Sequence, residues 1–410
     1  MKKQAALWLV ALTIFIDIAG FGLILPRLPF LALSLGASAT VLGIVAAIYS
    51  LAQFLFTPFL GALSDRIGRR PVILASLLIE AVSFAITGLA GTLPLLLLGR
   101  FVGGLGASNI GTAQAVVADV TSEKDRAKGM GLIGASIGLG FVVGPAAGGV
   151  LSGVSSALPF WIASALALVN AGLVIFLLPE TRTPSGAARP RYSLPIFAGW
   201  RGARQQPIVG WMAAQTLLFT IAFTGMETVF ALFAQRFFGW GAKETGYIFT
   251  YLGVLVVIMQ GGIVARLVAR WGERTVLMLG LGILAAGLVL LPVSTSLALL
   301  LVVLGLVAAG EGLVSPTSST LLSRTTGSDR QGETLGFVQG FGGLGRIVGP
   351  LVAGGLYTLG GPSLAFIVSG AVALAALVVV ALAIRPVSPA PTPVTVNPDE
   401  RESVASASSR

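Results

Sequence analysis

Apolar residues gather in twelve long runs, at approximately 5–26, 41–62, 72–91, 94–117, 128–151, 156–178, 208–234, 245–265, 275–292, 296–322, 332–356 and 362–384. Most approach the roughly 20 residues that an α-helix needs to cross a ~30 Å hydrocarbon core. In lipid a helix satisfies every backbone N–H and C=O within its own segment, which water cannot do for it there. The pattern predicts an all-α membrane protein of twelve transmembrane helices.

Polar positions between the runs alternate in charge. One set of connections holds Asp65, Arg66, Arg69 and Arg70; then Lys124, Arg126 and Lys128; then Arg182, Arg189, Arg191, Arg201 and Arg204; then Arg266, Arg270 and Arg274; then Arg324 and Arg330. The other set is nearly bare, holding Arg27, Arg236 and Lys243. The positive-inside rule places the rich set, and both termini, in the cytoplasm of a cell whose cytoplasmic membrane holds the chain. Lys2 and Lys3 precede a first run that lacks a small-residue cleavage site, so this run reads as a retained helix.

An internal repeat divides the chain. LSDRIGRRPVIL at 63–74 matches LVARWGERTVLM at 267–278, Asp125-Arg126 matches Asp329-Arg330, and VVGPAAGG at 142–149 matches IVGPLVAGG at 347–355, all at one offset to within a residue. An even number of spans per repeat gives the halves the same orientation, related by an axis along the membrane normal. The organisation expected is a six-helix bundle over 1–178, a Pro- and Arg-rich cytoplasmic linker over 179–206, and a second six-helix bundle over 207–385. The Pro/Ser/Thr-rich tail over 386–410 lacks the apolar residues to fold and is expected to be disordered.

Composition narrows the chemistry. Hydrophobic residues make up 55% and charged residues 10% of the chain, where a soluble domain carries about a quarter charged; the mean hydropathy is +0.93. The formal charge of +10 is a topology signal and not a nucleic-acid footprint, because the charges sit in alternate loops. With no Cys and no His, disulfides, thiol catalysis, most zinc sites and a histidine relay are excluded, and no metal site is expected. An enzyme would need a nucleophile, base or metal cluster converging at one face, and none is visible; a static pore does not call for a two-fold repeat. The 54 glycines suit helices packed closely through small faces.

Two motifs stand out. In GALSDRIGRRPVIL (61–74), Gly61 permits a close approach, Gly68 a tight turn, and Pro71 suits a first helical turn. Asp65 can cap or face a helix N-terminus, and the arginines can pair with acids such as Asp119. In GASIGLGFVVGPAAGG (134–149), Gly140, Gly144 and Gly148 recur every fourth residue and Pro145 adds a kink. That face, like Gly99, Gly103, Ala107 and Gly111, also fits packing alone.

The two motifs resemble the signature loop and the antiporter motif of the major facilitator superfamily, in its drug/proton antiporter branch. Helix one (Asp17-Ile-Ala-Gly-Phe-Gly-Leu-Ile-Leu-Pro-Arg-Leu-Pro29), Gly99-Arg100, and ADVTSEKDRAKGMGLIGASIGLGFVVGPAAGG at 118–149 resemble tetracycline/proton antiporters most. The resemblance implies the major facilitator fold and alternating access by two rocking bundles. It implies a gate-loop role for Asp65, Arg66, Arg69 and Arg70, and a link to proton coupling for Arg100. It also implies the antiporter signature at Gly144, Pro145, Gly148 and Gly149. Tetracycline carriers place an acid later in helix three, where this chain has Ser83; Glu80 lies one turn away.

Apart from any family, charges inside apolar runs are costly unless paired or hydrated, which makes them functional candidates. They are Asp17, Glu80, Arg100, Glu227, Glu311 and Arg346. A desolvated carboxyl can exchange a proton against a cationic substrate; a structural pair of Arg346 with Glu311 or Glu227 is the other reading. Gln53, Asn109, Gln114, Gln215 and Gln339 can line a polar cavity or bond helix to helix, and Phe219, Phe223 and Phe230 can face substrate or lipid. The expected function is proton-coupled efflux of a small amphipathic, drug-like molecule, with export of a sugar, amino acid or other metabolite as the alternative. The expected partners are substrate, protons and the bilayer, with the proton gradient in place of a cofactor. A monomer is expected.

Overall fold

The computed structural model describes residues 2–182, 206–325 and 331–383. Most of the expected linker and all of the expected tail fall outside these residues. Ten helical spans precede the last one: α1 (Gln4–Ser34), α2 (Ala39–Ile67), α3 (Arg69–Gly88), α4 (Leu93–Val120), α5 (Lys128–Val154), α6 (Leu158–Leu177), α7 (Pro207–Phe238), α8 (Ala242–Trp271), α9 (Glu273–Val293) and α10 (Leu297–Arg324). The final segment, Thr334–Ala383, breaks at Gly360–Gly361, where Gly361 takes φ 71°. Only glycine adopts that left-handed conformation freely, and Pro362 follows, so the segment is two spans, α11 (334–359) and α12 (362–383). The protein is a multi-pass membrane protein with twelve spans among the described residues, in two six-helix bundles.

The helices depart from regularity where the sequence forces it. The first run extends past its expected end at 26: α1 bends through a turn at 25–27, where Pro26 supplies no N–H, and resumes as Leu28–Ser34. Arg27 Nε there donates to Ser156 O at 3.3 Å. In α4 a 3₁₀ turn at Ala107–Asn109 interrupts the α-helix, and Gln53 Nε2 of α2 donates to Ala107 O at 2.9 Å. In α8 a π turn spans Met259–Ile263, with Gly262 at φ 135°.

Each half has its own apolar core. Val10, Ile14, Ile73, Leu77, Val116, Ile133 and Val174 cluster in the first, and Met212, Leu277, Leu281, Val314, Phe337 and Val380 in the second. A third cluster crosses between them, bringing Leu28, Leu42 and Val45 against Met226, Phe230 and Ile248. The halves therefore meet away from the arginine-rich loops. Across α2 and α11, Thr40 and Thr358 share a hydrogen bond of 2.9 Å, and a Cβ on Gly43 would strike the Pro350 carbonyl. Across α5 and α8, a Cβ on Gly246 would come 2.6 Å from Pro145 O and 2.7 Å from Gly149 Cα. At the arginine-rich ends of α2 and α8, by contrast, Phe59, Ile67, Ile258 and Trp271 are exposed.

Candidate functional site

The α2–α3 loop closes a charged cluster within the first half. Gly68 turns the chain at φ 108°, which delivers Arg69 into the bundle, where it is buried. Its guanidinium pairs with Asp65 at 2.8 Å and Asp119 at 3.3 Å, and donates to Ser64 Oγ at 2.6 Å. Arg70 Nη2 donates to the Ile175 carbonyl of α6; Arg66 is exposed.

Glu180, which nothing in the sequence singles out, completes the cluster. Its carboxylate accepts from the backbone N–H of Arg69 at 2.9 Å and Arg70 at 3.2 Å. It thus supplies the N-terminus of α3 with the anion that its free N–H groups and dipole favour. Arg182 pairs with Asp65 at 2.5 Å, and Thr181 Oγ1 donates to Asp119 at 3.4 Å. A methyl group on Gly68 would lie 2.8 Å from Glu180 Cδ. Gly68→Ala is therefore expected to cost about 1–2 kcal/mol from the left-handed backbone alone, plus displacement of this cap, read as a lower thermal midpoint in detergent.

The second half repeats the geometry with the charges exchanged. Gly272 turns at φ 78°, and Arg274 Nη2 donates to Ala381 O of α12 at 2.7 Å, as Arg70 does to α6. Where the first half pairs Arg69 with Asp119, this one pairs Glu273 with Arg324 at 2.5 Å.

Inside the membrane, Asp17 of α1, Glu80 of α3 and Asn109 of α4 converge. Asp17 and Glu80 are 8% and 5% exposed. Asp17 Oδ1, Glu80 Oε2 and both amide atoms of Asn109 are buried without a hydrogen-bond partner. A Cβ on Gly106 would lie 2.9 Å from Ser76 O and 3.0 Å from Glu80 N, so a glycine there lets α4 press against α3 at the acid pair. Arg100 lies with its guanidinium carbon 4.2 Å from the Tyr49 ring centroid and 5.9 Å from that of Phe21, a cation–π arrangement. Phe21 in turn packs on Tyr49 at 5.4 Å and Phe141 at 6.4 Å. Ser83 does not join the acids; its hydroxyl donates to Gly99 O at 2.8 Å.

In the second half, Glu227 of α7 faces Arg346 of α11 and Glu311 of α10. Arg346 lies on the α11 face that carries Gly343, set against Phe54, and Pro350, set against Gly43. It is exposed between the halves and faces Tyr49 across the gap. Gln339, two turns nearer the arginine-rich end, is exposed, and Gln114 is half-buried. Gln215 is fully buried and accepts from Ser318 Oγ at 3.0 Å within its own half, and Gln53 is engaged with α4 as above. Phe219 stacks on Phe223 at 6.3 Å, and Phe230 is in the core.

The glycine face of α5 lies on α1. Cβ atoms on Gly140 and Gly144 would come 2.8 Å from Ile18 Cβ and 2.7 Å from Ala19 O, and one on Gly148 would strike the Leu23 carbonyl. Gly149 faces α8 instead, 2.8 Å from Lys243 O by the same measure. Gly61 has nothing within 4 Å of such a Cβ; the close approach expected there does not occur, because the arginine-rich ends of the halves stand apart.

The chain matches the Major Facilitator Superfamily in two stretches, residues 10–270 and 261–409. It is 34% identical over 385 residues to the class C tetracycline resistance protein of Escherichia coli, covering 92% of this chain and 96% of that protein. It is 31% identical over 370 residues to multidrug resistance protein 2 of Bacillus subtilis (strain 168), with 88% and 90% covered. Among solved structures, the human organic anion transporter MFSD10 (TETRAN) matches with a TM-score of 0.72 at 26% identity, over 92% of this chain and 99% of that one. The nucleoside transporter NupG matches with a TM-score of 0.79 at 12% identity, over 93% and 100%, a likeness of fold alone. Two like-oriented bundles, buried charges at mid-membrane and relatives matched over most of their length lead to one conclusion: this chain is a transporter of the major facilitator superfamily, similar to proteins named for tetracycline and multidrug resistance.

Proposed function

We propose that the protein exports a small amphipathic, drug-like cation from the cytoplasm in exchange for protons, by alternating access across the cytoplasmic membrane. The arginine-rich face is cytoplasmic and the monomer needs no cofactor beyond the proton gradient. The observation that carries this reading is the meeting of Asp17 and Glu80 in the membrane interior. Two carboxylates side by side away from water repel each other, and the repulsion is relieved by a proton or by a bound cation. One site that accepts either, but not both, exchanges them. Arg100, held on the Tyr49 ring that lies between it and the acids, supplies a fixed positive charge that limits how much more the site takes up. The aromatic group of Phe21, Tyr49 and Phe141 offers an apolar wall for the rest of the substrate. With the halves joined away from the arginines and apart at the arginine-rich ends, this conformation is the one that loads from the cytoplasm.

Asp17→Asn is expected to lower proton-driven tetracycline uptake into everted vesicles by about tenfold or more, the factor that a single ~1.4 kcal/mol contact supplies. The residual uptake no longer responds to a protonophore. Uptake in the variant that remains as large and as protonophore-sensitive as in the parent would refute the reading.

A further inference from the structure

On the arginine-rich side of the acid pair, three helices each place a hydroxyl one turn away. Thr13 precedes Asp17 by four residues on α1, Ser76 precedes Glu80 by four on α3, and Thr112 follows Asn109 by three on α4. At these spacings each hydroxyl shares a helix face with its polar partner, ~5.4 Å along the axis. Because α4 runs opposite to α1 and α3, all three lie at the same level. Thr13, Ser76 and Thr112 are 2%, 1% and 1% exposed, and none of their hydroxyl oxygens has a hydrogen-bond partner.

Among the described helices, Thr317 in the second half is also buried without a partner, but many hydroxyls behave otherwise. Thr57, Thr87, Thr121, Thr224 and Thr228 each donate to the carbonyl four residues back, at 2.6–2.8 Å, the usual resort of such side chains in lipid. A buried hydroxyl without any partner forfeits its hydration with nothing in return. Three at one level, beside Asp17 Oδ1, Glu80 Oε2 and an unpaired Asn109 amide, are instead the two to four polar partners per molecule that internal water requires. Asn170 of α6 adds a further unpaired oxygen at this level, held there by its donation to Thr13 O at 3.0 Å. One turn nearer the loops the lining turns apolar, with Val10, Ile73 and Val116 packed together, and beyond them lie Arg69 and Asp119.

We propose that Thr13, Ser76 and Thr112 hold a short chain of internal waters through which the Asp17–Glu80 pair exchanges its proton. The chain runs inside the first half and apart from the gap between the halves. Substrate and proton then approach the same carboxyls from different sides, the substrate past Tyr49 and Arg346, the proton from within the bundle. The Val10, Ile73 and Val116 layer separates the chamber from the arginine-rich loops, so passage of the proton between them waits on a transient opening of that layer. The transport consequence rests on the proton-exchange reading above; the chamber itself does not need a substrate to be detected.

The test is a pH jump on purified protein in detergent, without substrate, following the protonated-carboxyl C=O infrared band that Asp17→Asn removes. In Thr13→Val/Ser76→Ala/Thr112→Val the band is expected to keep its amplitude and appear ~10-fold or more slowly, the factor equivalent to ~1.4 kcal/mol on a barrier. Restoring hydroxyls as Thr13→Ser and Thr112→Ser is expected to recover the rate. The thermal midpoint of the triple variant should equal or exceed that of the parent, since apolar groups replace unpaired ones. An unchanged rate with an intact band overturns the water chain alone. A wild-type band that Asp17→Asn leaves in place overturns the acid-pair reading, and the chamber's role with it.

Discussion

Gly246→Val is expected to cut transport by ~5- to 150-fold while both halves stay folded. The α5–α8 seam has no room for a side chain: a Cβ at 246 would lie 2.6 Å from the Pro145 carbonyl and 3.0 Å from the Gly149 N. Both are backbone atoms of a packed helix and cannot rotate away. Overpacking of this kind costs typically about 1–3 kcal/mol, which is the range of factors quoted. The penalty applies only where α5 and α8 touch, so it falls on the conformation closed on this face, and the population shifts toward its opposite. Because the chain has no cysteine, the shift can be read directly. Thr40→Cys/Thr358→Cys places thiols where two hydroxyls now lie 2.9 Å apart, and its oxidative cross-linking should slow in the Gly246→Val background. Gly210→Ala, on α7 with nothing within 4 Å of the new methyl, is the control that should change neither cross-linking nor transport. Normal cross-linking and normal transport in Gly246→Val would show that the seam yields.

The fold was legible because a bilayer leaves few choices. Twelve runs follow from spans that must satisfy their own backbone, and the repeat at 63–74 and 267–278 marks the two halves. What composition could not convey was where a helix breaks inside its apolar run. Pro26 reads as the end of the first span, yet seven further residues, Leu28–Ser34, continue it. The boundary expected between the runs 332–356 and 362–384, by contrast, does fall where Gly360–Gly361 interrupts an otherwise continuous helix. The intramembrane charges could be found one at a time, since each is expensive alone. Their partners could not: Asp17 meets Glu80, and Tyr49 meets Arg100, across helices far apart in sequence. Tyr49 carries no charge and so gave no signal beyond being one of five tyrosines. Glu180 was hidden differently. It lies at the edge of a Pro- and Arg-rich segment that reads as linker, and its role depends on a helix N-terminus that begins 111 residues earlier.

That carboxylate and Arg69 together allow a sharper expectation. Arg69→Ala should lower the stability of the first half by about 2–4 kcal/mol, toward the cost of removing one partner of a buried charge pair. The figure is set below the top of that range because Asp65 and Asp119 keep 46% and 27% side-chain exposure and can be rehydrated. Arg69→Lys should recover little of it. The native guanidinium reaches Asp65 through Nη1, Asp119 through Nε and Ser64 through Nη1, three acceptors spread around a planar fork, and a single ammonium on a flexible stem cannot span them. Glu180→Gln should cost less, about 1 kcal/mol: the amide oxygen still accepts from one N–H, but the negative charge at the α3 N-terminus is lost. Since both act on the same turn, the Arg69→Ala/Glu180→Gln double variant is expected to lose less than the sum of the two, with a coupling of about 0.5–3 kcal/mol. Thermal midpoints in detergent supply the measurements. Strict additivity would mean that the carboxylate caps α3 independently of where the Arg69 side chain goes. Rescue by lysine would mean that charge alone, without the fork, holds the loop against α4.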